Sequence, residues 1–144
     1  MLSINLFSAT NAVAAATPLL KANGGAIVCI SSICGVEALG CPLAYGAAKA
    51  ALNSYVRGAA RELGGSNVRI NAIAPGNVLF SGSVWEHKLA ENREAVQGML
   101  EREVALGRLG TPEEIADMTA FLASSRASFT TGAVFVIDGG QVRS

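Results

Sequence analysis

Tyr45-Gly-Ala-Ala-Lys49 places a phenol and a primary amine four residues apart. Residues at that spacing share one face of a helix, which brings the ammonium toward the phenol ring. A phenol with an ordinary pKa of about 10 is protonated at neutral pH, and a neighbouring cation favours the phenolate by direct attraction. Such a phenol can serve as acid toward a carbonyl oxygen or as base toward an alcohol. Ser32 lies thirteen residues before Tyr45 in Ser31-Ser32-Ile33-Cys34-Gly35, and Asn5 stands near the start of the chain. A serine at the carboxyl end of a strand occupies the place where open α/β sheets put their ligands, and its hydroxyl can bond a substrate oxygen as charge develops there. A Tyr-x3-Lys pair alone fits an ordinary helix surface. The specificity comes from its combination with the serine loop, the next strand and Pro75-Gly76.

These side chains need a strand end held against a helix start. Asn5 to Leu20 is rich in alanine and carries Leu6, Val13, Leu19 and Leu20, which predicts a largely buried helix stopped at Gly24-Gly25. Ala26-Ile-Val-Cys-Ile30 is a short apolar run with β-branched members, the pattern of a parallel strand covered on both faces. It delivers Ser31 and Ser32 at its carboxyl end. Ala44 to Leu63 predicts the next helix, stopped by Gly64-Gly65, and Val68 to Ala74 predicts a second strand ended by Pro75-Gly76. Two strand-to-helix units in succession favour an α/β layer. Gly82 to Arg108 is a charged amphipathic region that fits a cleft cover or a plain helical flank, and the segment around Phe80 to Val84 is expected to be a mobile connection. Thr111-Pro-Glu-Glu114 supplies an N-cap, a first-position proline and first-turn acids for a helix through Leu122. Ala133 to Ile137 reads as a last strand before Asp138-Gly-Gly140.

At 144 residues, 51% apolar and 15% charged, the chain is long enough for one domain with a real core. Eleven basic residues balance eleven acidic ones, so no field of one sign is present to hold nucleic acid or an anionic membrane. The apolar runs are too short to span a bilayer, and the first residues lack a secretion-signal pattern. Cys29, Cys34 and Cys41 are odd in number and form no Cys-x2-Cys pair. Neither a disulfide framework nor a zinc site is expected from them; Cys29 is expected to face the core and the other two to line a loop, in a reducing cytoplasm. His87, the lone histidine, stands among charged residues and is expected on the surface.

Taken together, these motifs resemble the short-chain dehydrogenase/reductase family. Asn5-Leu6 is similar to its helix-start asparagine, Ile30-Ser31-Ser32 with Gly35 to its serine strand and turn, Tyr45 and Lys49 to its central pair, and Asn71-Ala-Ile-Ala-Pro75-Gly76 to its following segment. Leu106-Gly-Arg108 with Pro112 to Ala116 resembles its closing helix, and Thr131-Gly132 through Asp138-Gly139-Gly140 its terminal strand. The resemblance implies a partial Rossmann-like three-layer α/β fold with a mostly parallel sheet, residues 1–144 forming a single catalytic domain. It implies an NAD(P)-dependent oxidoreductase of an alcohol or carbonyl small molecule, with NAD or NADP as cofactor and a homo-oligomeric state. Asn5, Ser32, Tyr45 and Lys49 are its implied catalytic set, Asn5 through a relay water; Tyr45, Lys49, Pro75 and Gly76 would flank the nicotinamide end. The family's first strand and glycine-rich phosphate turn have no counterpart before Asn5, so the chain is expected to represent a C-terminal half. A catalytically inactive packing or interaction module is the alternative. A hydrolase using Ser32 is less well supported, because His87 has no recognisable triad relation. Phe80, Val84, Trp85 and Leu89 fit either an apolar substrate lining or ordinary packing, and the substrate stays open.

Overall fold

The computed structural model describes residues 1–143. A π-helical turn at Ser3–Phe7 runs directly into α1 (Ser8–Asn23), followed by β1 (Gly25–Ile30), a 3-10 turn at Ile33–Gly35 and α2 (Leu43–Leu63). Then come β2 (Val68–Pro75), α3 (Val84–Glu91), α4 (Arg93–Glu103), α5 (Pro112–Ala123) and β3 (Val134–Ile137). The three strands form a parallel sheet in the order β1-β2-β3, with Gly25 opposite Val68 and Ala72 opposite Val134. Among the described residues, β1 has a strand neighbour only on its β2 side.

The alternation of side chains along a strand explains the layers. Cys29 from β1 and Val68, Ile70 and Ala72 from β2 pack with Val13 of α1 and Leu52, Val56, Ala60 and Leu63 of α2. On the opposite face Ile73 packs with Leu122 of α5 and Ala127, joined by Val28, Phe135 and Ile137. Helices on both faces of a parallel sheet make the Rossmann-like three-layer arrangement expected from the sequence. Two polar residues on the α5 face of β2 tie the third strand's approach. Arg69 donates to the carbonyls of Leu122 and Ser124, while Asn71 donates to the Thr130 carbonyl and accepts from the Ala133 N–H.

Three expectations need correction or refinement. The helix expected to be largely buried, α1, buries only Val13 and leaves Leu19 exposed. The charged stretch from Gly82 to Arg108 contains two helices separated at Asn92, whose side chain caps α4 by accepting the Ala95 N–H at 2.9 Å. Val96, Leu100 and Val104 form a small cluster there with Trp85 and Leu89. The expectation that Cys34 and Cys41 merely line a loop, with no disulfide framework, is corrected: the two are paired, with Cα atoms 6.2 Å apart. Residue count and spacing could not reveal this, because the loop between Ser32 and α2 doubles back and brings the two backbones into bridging range. Cys29 remains a free, buried cysteine on the core side of β1. Among the described residues, no helix is long and apolar enough to cross a membrane, and no cluster of His, Cys, Asp and Glu is arranged to hold a metal.

Candidate active site

The carboxyl ends of β1 and β2 open into a cleft of about 500 Å³. Ser31 and Ser32 follow β1 directly, and Pro75-Gly76 closes β2. Across from them, Tyr45 lies in the first turn of α2 and Lys49 one turn later. The positive end of the α2 dipole therefore faces any negative charge that develops in the cleft. Phe80 and Ser83 enter from the connection to α3, Val84 and Trp85 from its first turn, and Pro112 and Ile115 from the start of α5.

Lys49 is buried, and its Nζ donates to the Ile30 carbonyl at 2.9 Å. That bond anchors the ammonium at the strand end while leaving two of its three donors for other partners. Nζ lies 5.7 Å from the centroid of the Tyr45 ring, within cation–π range. Burial lowers the Lys49 pKa from its ordinary value, opposed by the neighbouring Cys29. The same burial pushes the Cys29 thiol up.

Ser32 is almost fully buried, and its Oγ accepts the Cys34 N–H at 3.2 Å as the cap of the 3-10 turn. With a lone pair occupied by that donor, the hydroxyl proton is free to point at a ligand. Ser31 turns the other way and donates to the Lys49 carbonyl at 3.4 Å. Two glycines allow close approach here. A Cβ on Gly35 would lie 2.6 Å from the Lys49 backbone carbon, so only glycine lets the serine loop lie flat on α2. A Cβ on Gly76 would meet the Asp138 Cα at 2.7 Å, so the exit of β3 can pack against the end of β2.

A second cavity of about 420 Å³ adjoins the first and shares Ser32, Tyr45, Gly76, Val84 and Trp85 with it. Its remaining wall includes Cys34, Leu39, Cys41, Met99 and Gln141. Ser32 and Tyr45 thus stand where two compartments meet. Among the residues singled out from sequence, Ser32, Tyr45, Lys49, Pro75 and Gly76 come together in the cleft. Asn5 does not line either cavity; its side-chain amide donates to the Met1 carbonyl at 3.1 Å in the turn that packs on α2. Phe80, Val84 and Trp85 line the cleft, whereas Leu89 joins the α3–α4 cluster. His87 is exposed on α3 and lines neither cavity.

Sequence reasoning overlooked Ser83, which is buried against the cleft, caps α3 by accepting the Glu86 N–H at 3.1 Å and also accepts the Phe80 N–H. These bonds fix the segment expected to be a mobile connection. The Ser-x-x-Glu spacing from Ser83 to Glu86 was a legible cap signal. The Ile30 carbonyl beneath Lys49, and Pro112 and Ile115 across the cleft, arise from tertiary packing and carry no local signal.

A model of the family described as enoyl-(acyl carrier protein) reductase matches residues 1–141. The chain belongs to the short-chain dehydrogenase/reductase family. It is 42% identical over 126 residues to the 3-oxoacyl-[acyl-carrier-protein] reductase FabG of Chlamydia muridarum, a match covering 86% of this chain and 48% of that protein. Among solved structures it resembles a 3-oxoacyl (acyl-carrier-protein) reductase from Agrobacterium tumefaciens C58 with NADP bound, at 33% identity and a TM-score of 0.89 over 96% of this chain and 54% of that one. It equally resembles a 4-hydroxyisoleucine dehydrogenase complexed with NADH, at 30% identity and a TM-score of 0.89 over 98% of this chain and 57% of that one. The chain spans about half the length of the curated relatives it matches. This oxidoreductase family uses nicotinamide cofactors, and both the NADP- and NADH-bound forms occur among the structural neighbours.

Proposed function

We propose that residues 1–144 are the catalytic portion of an NAD(P)-dependent oxidoreductase that interconverts an alcohol and a carbonyl through Ser32, Tyr45 and Lys49. The observation that carries this reading is the convergence of the three side chains at one cleft, with Lys49 pinned to the β1 end and facing the Tyr45 ring. The compartment bounded by Lys49, Pro75, Gly76 and Pro112 suits the nicotinamide end of a dinucleotide. Its apolar wall from Ile30, Val78 and Ile115 accepts a flat ring, and the unused Lys49 donors suit ribose hydroxyls. When bound, the cofactor supplies or accepts the hydride.

The chain's own residues handle the oxygen. In the reducing direction Tyr45 gives its phenolic proton to the carbonyl oxygen, while the Ser32 hydroxyl donates to the same oxygen as negative charge develops. In the oxidising direction the Tyr45 oxygen takes the alcohol proton. Lys49 stabilises the negative charge that the Tyr45 oxygen carries after giving its proton in reduction and before taking one in oxidation, and holds its own place through Ile30. The second cavity, reached past Ser32 and Tyr45, holds the rest of the substrate between Leu39, Trp85 and Met99. Asn5 enters this reading as part of the helix-start turn that packs against α2, not as a cleft residue.

The proposed enzyme works in the cytoplasm as a homo-oligomer. Replacing the Tyr45 hydroxyl tests the catalytic assignment: Tyr45→Phe is expected to abolish turnover in the folded protein, and retained turnover would reject it.

A further inference from the structure

The Cys34–Cys41 pair closes the loop that connects Ser32 to Tyr45, and both cysteines help wall the cavity assigned to substrate. We propose that this pair is a reversible dithiol–disulfide site, exchanging with low-molecular-weight disulfides and thiols of the glutathione class, and that its state sets the shape of the substrate-side wall. Only the word "substrate" rests on the proposed function; the exchange and its effect on the cavity do not.

The location links sulfur chemistry to the site. The Cys34 N–H is held by Ser32 Oγ at 3.2 Å, and the next residue, Gly35, lies directly on the backbone of Lys49. At the other end Cys41 precedes the first residue of α2 by two positions and Tyr45 by four. Ser32 and Tyr45 are therefore tethered to opposite ends of the bridge. With the disulfide closed, residues 36–40 are a short strap; with it open, the strap loses its covalent closure and keeps its two ends and the Glu37 carboxylate, which accepts the Arg143 N–H at 2.9 Å.

Both cysteines are half-buried and line a further cavity of about 480 Å³, with Leu43, Ala47 and Ala50. A small thiol or disulfide can approach from either compartment. Neither cysteine belongs to the apolar clusters that hold the sheet and helices together, and a bridge between residues seven apart closes only a short loop. Opening it therefore leaves the fold in place. Cys29 is the internal contrast: it is buried in the core with its thiol pushed up, both of which suppress exchange.

Oxidation proceeds by two exchanges. One protein thiolate attacks a sulfur of the small disulfide, forming a mixed disulfide and releasing one small thiolate. The second protein thiolate attacks the protein sulfur of that mixed disulfide, forming the Cys34–Cys41 bond and releasing the second small thiolate. The protein gives up two electrons and two thiol protons, and one small disulfide becomes two small thiols.

The test equilibrates the purified protein across oxidised-to-reduced glutathione ratios, then alkylates it under denaturing conditions for peptide mass analysis. Trp85, the only tryptophan, is read by fluorescence before alkylation because it lines both cavities. The alkylated count is expected to rise from one of the three cysteines to all three as the buffer becomes reducing, with the lost bridge mapped to Cys34 and Cys41. Trp85 emission should change along the same curve while far-ultraviolet circular dichroism stays constant. Cys41→Ser, and separately Cys34→Ser, should abolish the emission change. A bridge that never forms, one that persists in fully reduced glutathione, or a thiol transition that leaves Trp85 emission unmoved would each overturn the proposal. Persistence of this transition in a protein whose Tyr45→Phe variant kept full turnover would reject the catalytic reading and leave the redox site standing.

Discussion

Replacing Lys49 by methionine separates the cost of burying a charge from the use made of it. Methionine has a similar reach and keeps the apolar stem that lies against the core, so packing changes little. The substitution removes one charged hydrogen bond, from Nζ to the Ile30 carbonyl at 2.9 Å. Bonds of that kind contribute about 1.5–3 kcal/mol. Two effects offset the loss: the ammonium no longer has to be desolvated, and Ile30 is 47% exposed, so water can reach the strand end and bond its carbonyl. The net change in stability is expected to stay within about 1.5 kcal/mol in either direction, a shift of no more than about 5 °C in Tm for a chain of this size. Turnover behaves differently. Loss of a preorganised charge or donor at the reacting centre costs about a hundredfold to a thousandfold. The pH dependence supplies an independent sign. Burial lowers the folded-state pKa of Lys49, so the folded protein binds fewer protons there than the unfolded chain between that value and 10.5. Stability contributed by this group must rise as pH climbs through that interval, and the Met variant must lose the rise. Urea unfolding from pH 7 to 10.5, paired with cofactor-dependent turnover, measures both. A Lys49→Met protein that keeps turnover within twofold of the parent, or that unfolds outright, refutes the reasoning.

Three further outcomes follow from the same geometry. Gly35→Ala drives a Cβ to 2.6 Å from the Lys49 backbone, so the serine loop must lift from α2; a stability loss of about 1–3 kcal/mol is expected by denaturant titration, with turnover falling as well. Glu114 caps the Thr111 N–H and pairs with Arg108, which holds its pKa down to about 2 from 4.5, so its contribution is present above pH 4.5 and is lost as pH falls toward 2. Thermal melts of Glu114→Gln should lack that part of the acid-side decline. The β1 edge, without a strand neighbour among the described residues, together with Leu19 and Leu43 exposed on α1 and α2, favours self-association of the 144-residue chain; light scattering showing a monodisperse monomer at micromolar concentration would contradict it.

The features legible in the sequence were those set by short spacing. Val68 to Pro75 alternates between two buried faces, and its neighbours on either side were legible as short apolar β-branched runs, although Ile30 and Val136 stay exposed. Tyr45 and Lys49 reach the same cleft because one helical turn separates them, and Ser32 reaches it because it follows a strand directly. What depended on chain reversal was hidden. The Cys34–Cys41 bridge requires the strap to fold back, the break at Asn92 depends on one side chain capping a helix inside a uniformly charged run, and Pro112 and Ile115 arrive from a distant part of the chain. Asn5 was recognisable by its family position, and its side-chain amide donates to the Met1 carbonyl in the turn that packs on α2.

The central claim is that the Tyr45 hydroxyl moves the proton between the chain and the substrate oxygen. The most direct measurement is single-turnover hydride transfer, followed by nicotinamide absorbance in protein carrying this chain, for the parent and Tyr45→Phe, with folding monitored in parallel. A general acid or base contributes about a hundredfold to ten-thousandfold. A drop of that size with an unchanged unfolding midpoint is the predicted result, whereas hydride transfer within twofold of the parent would contradict the account.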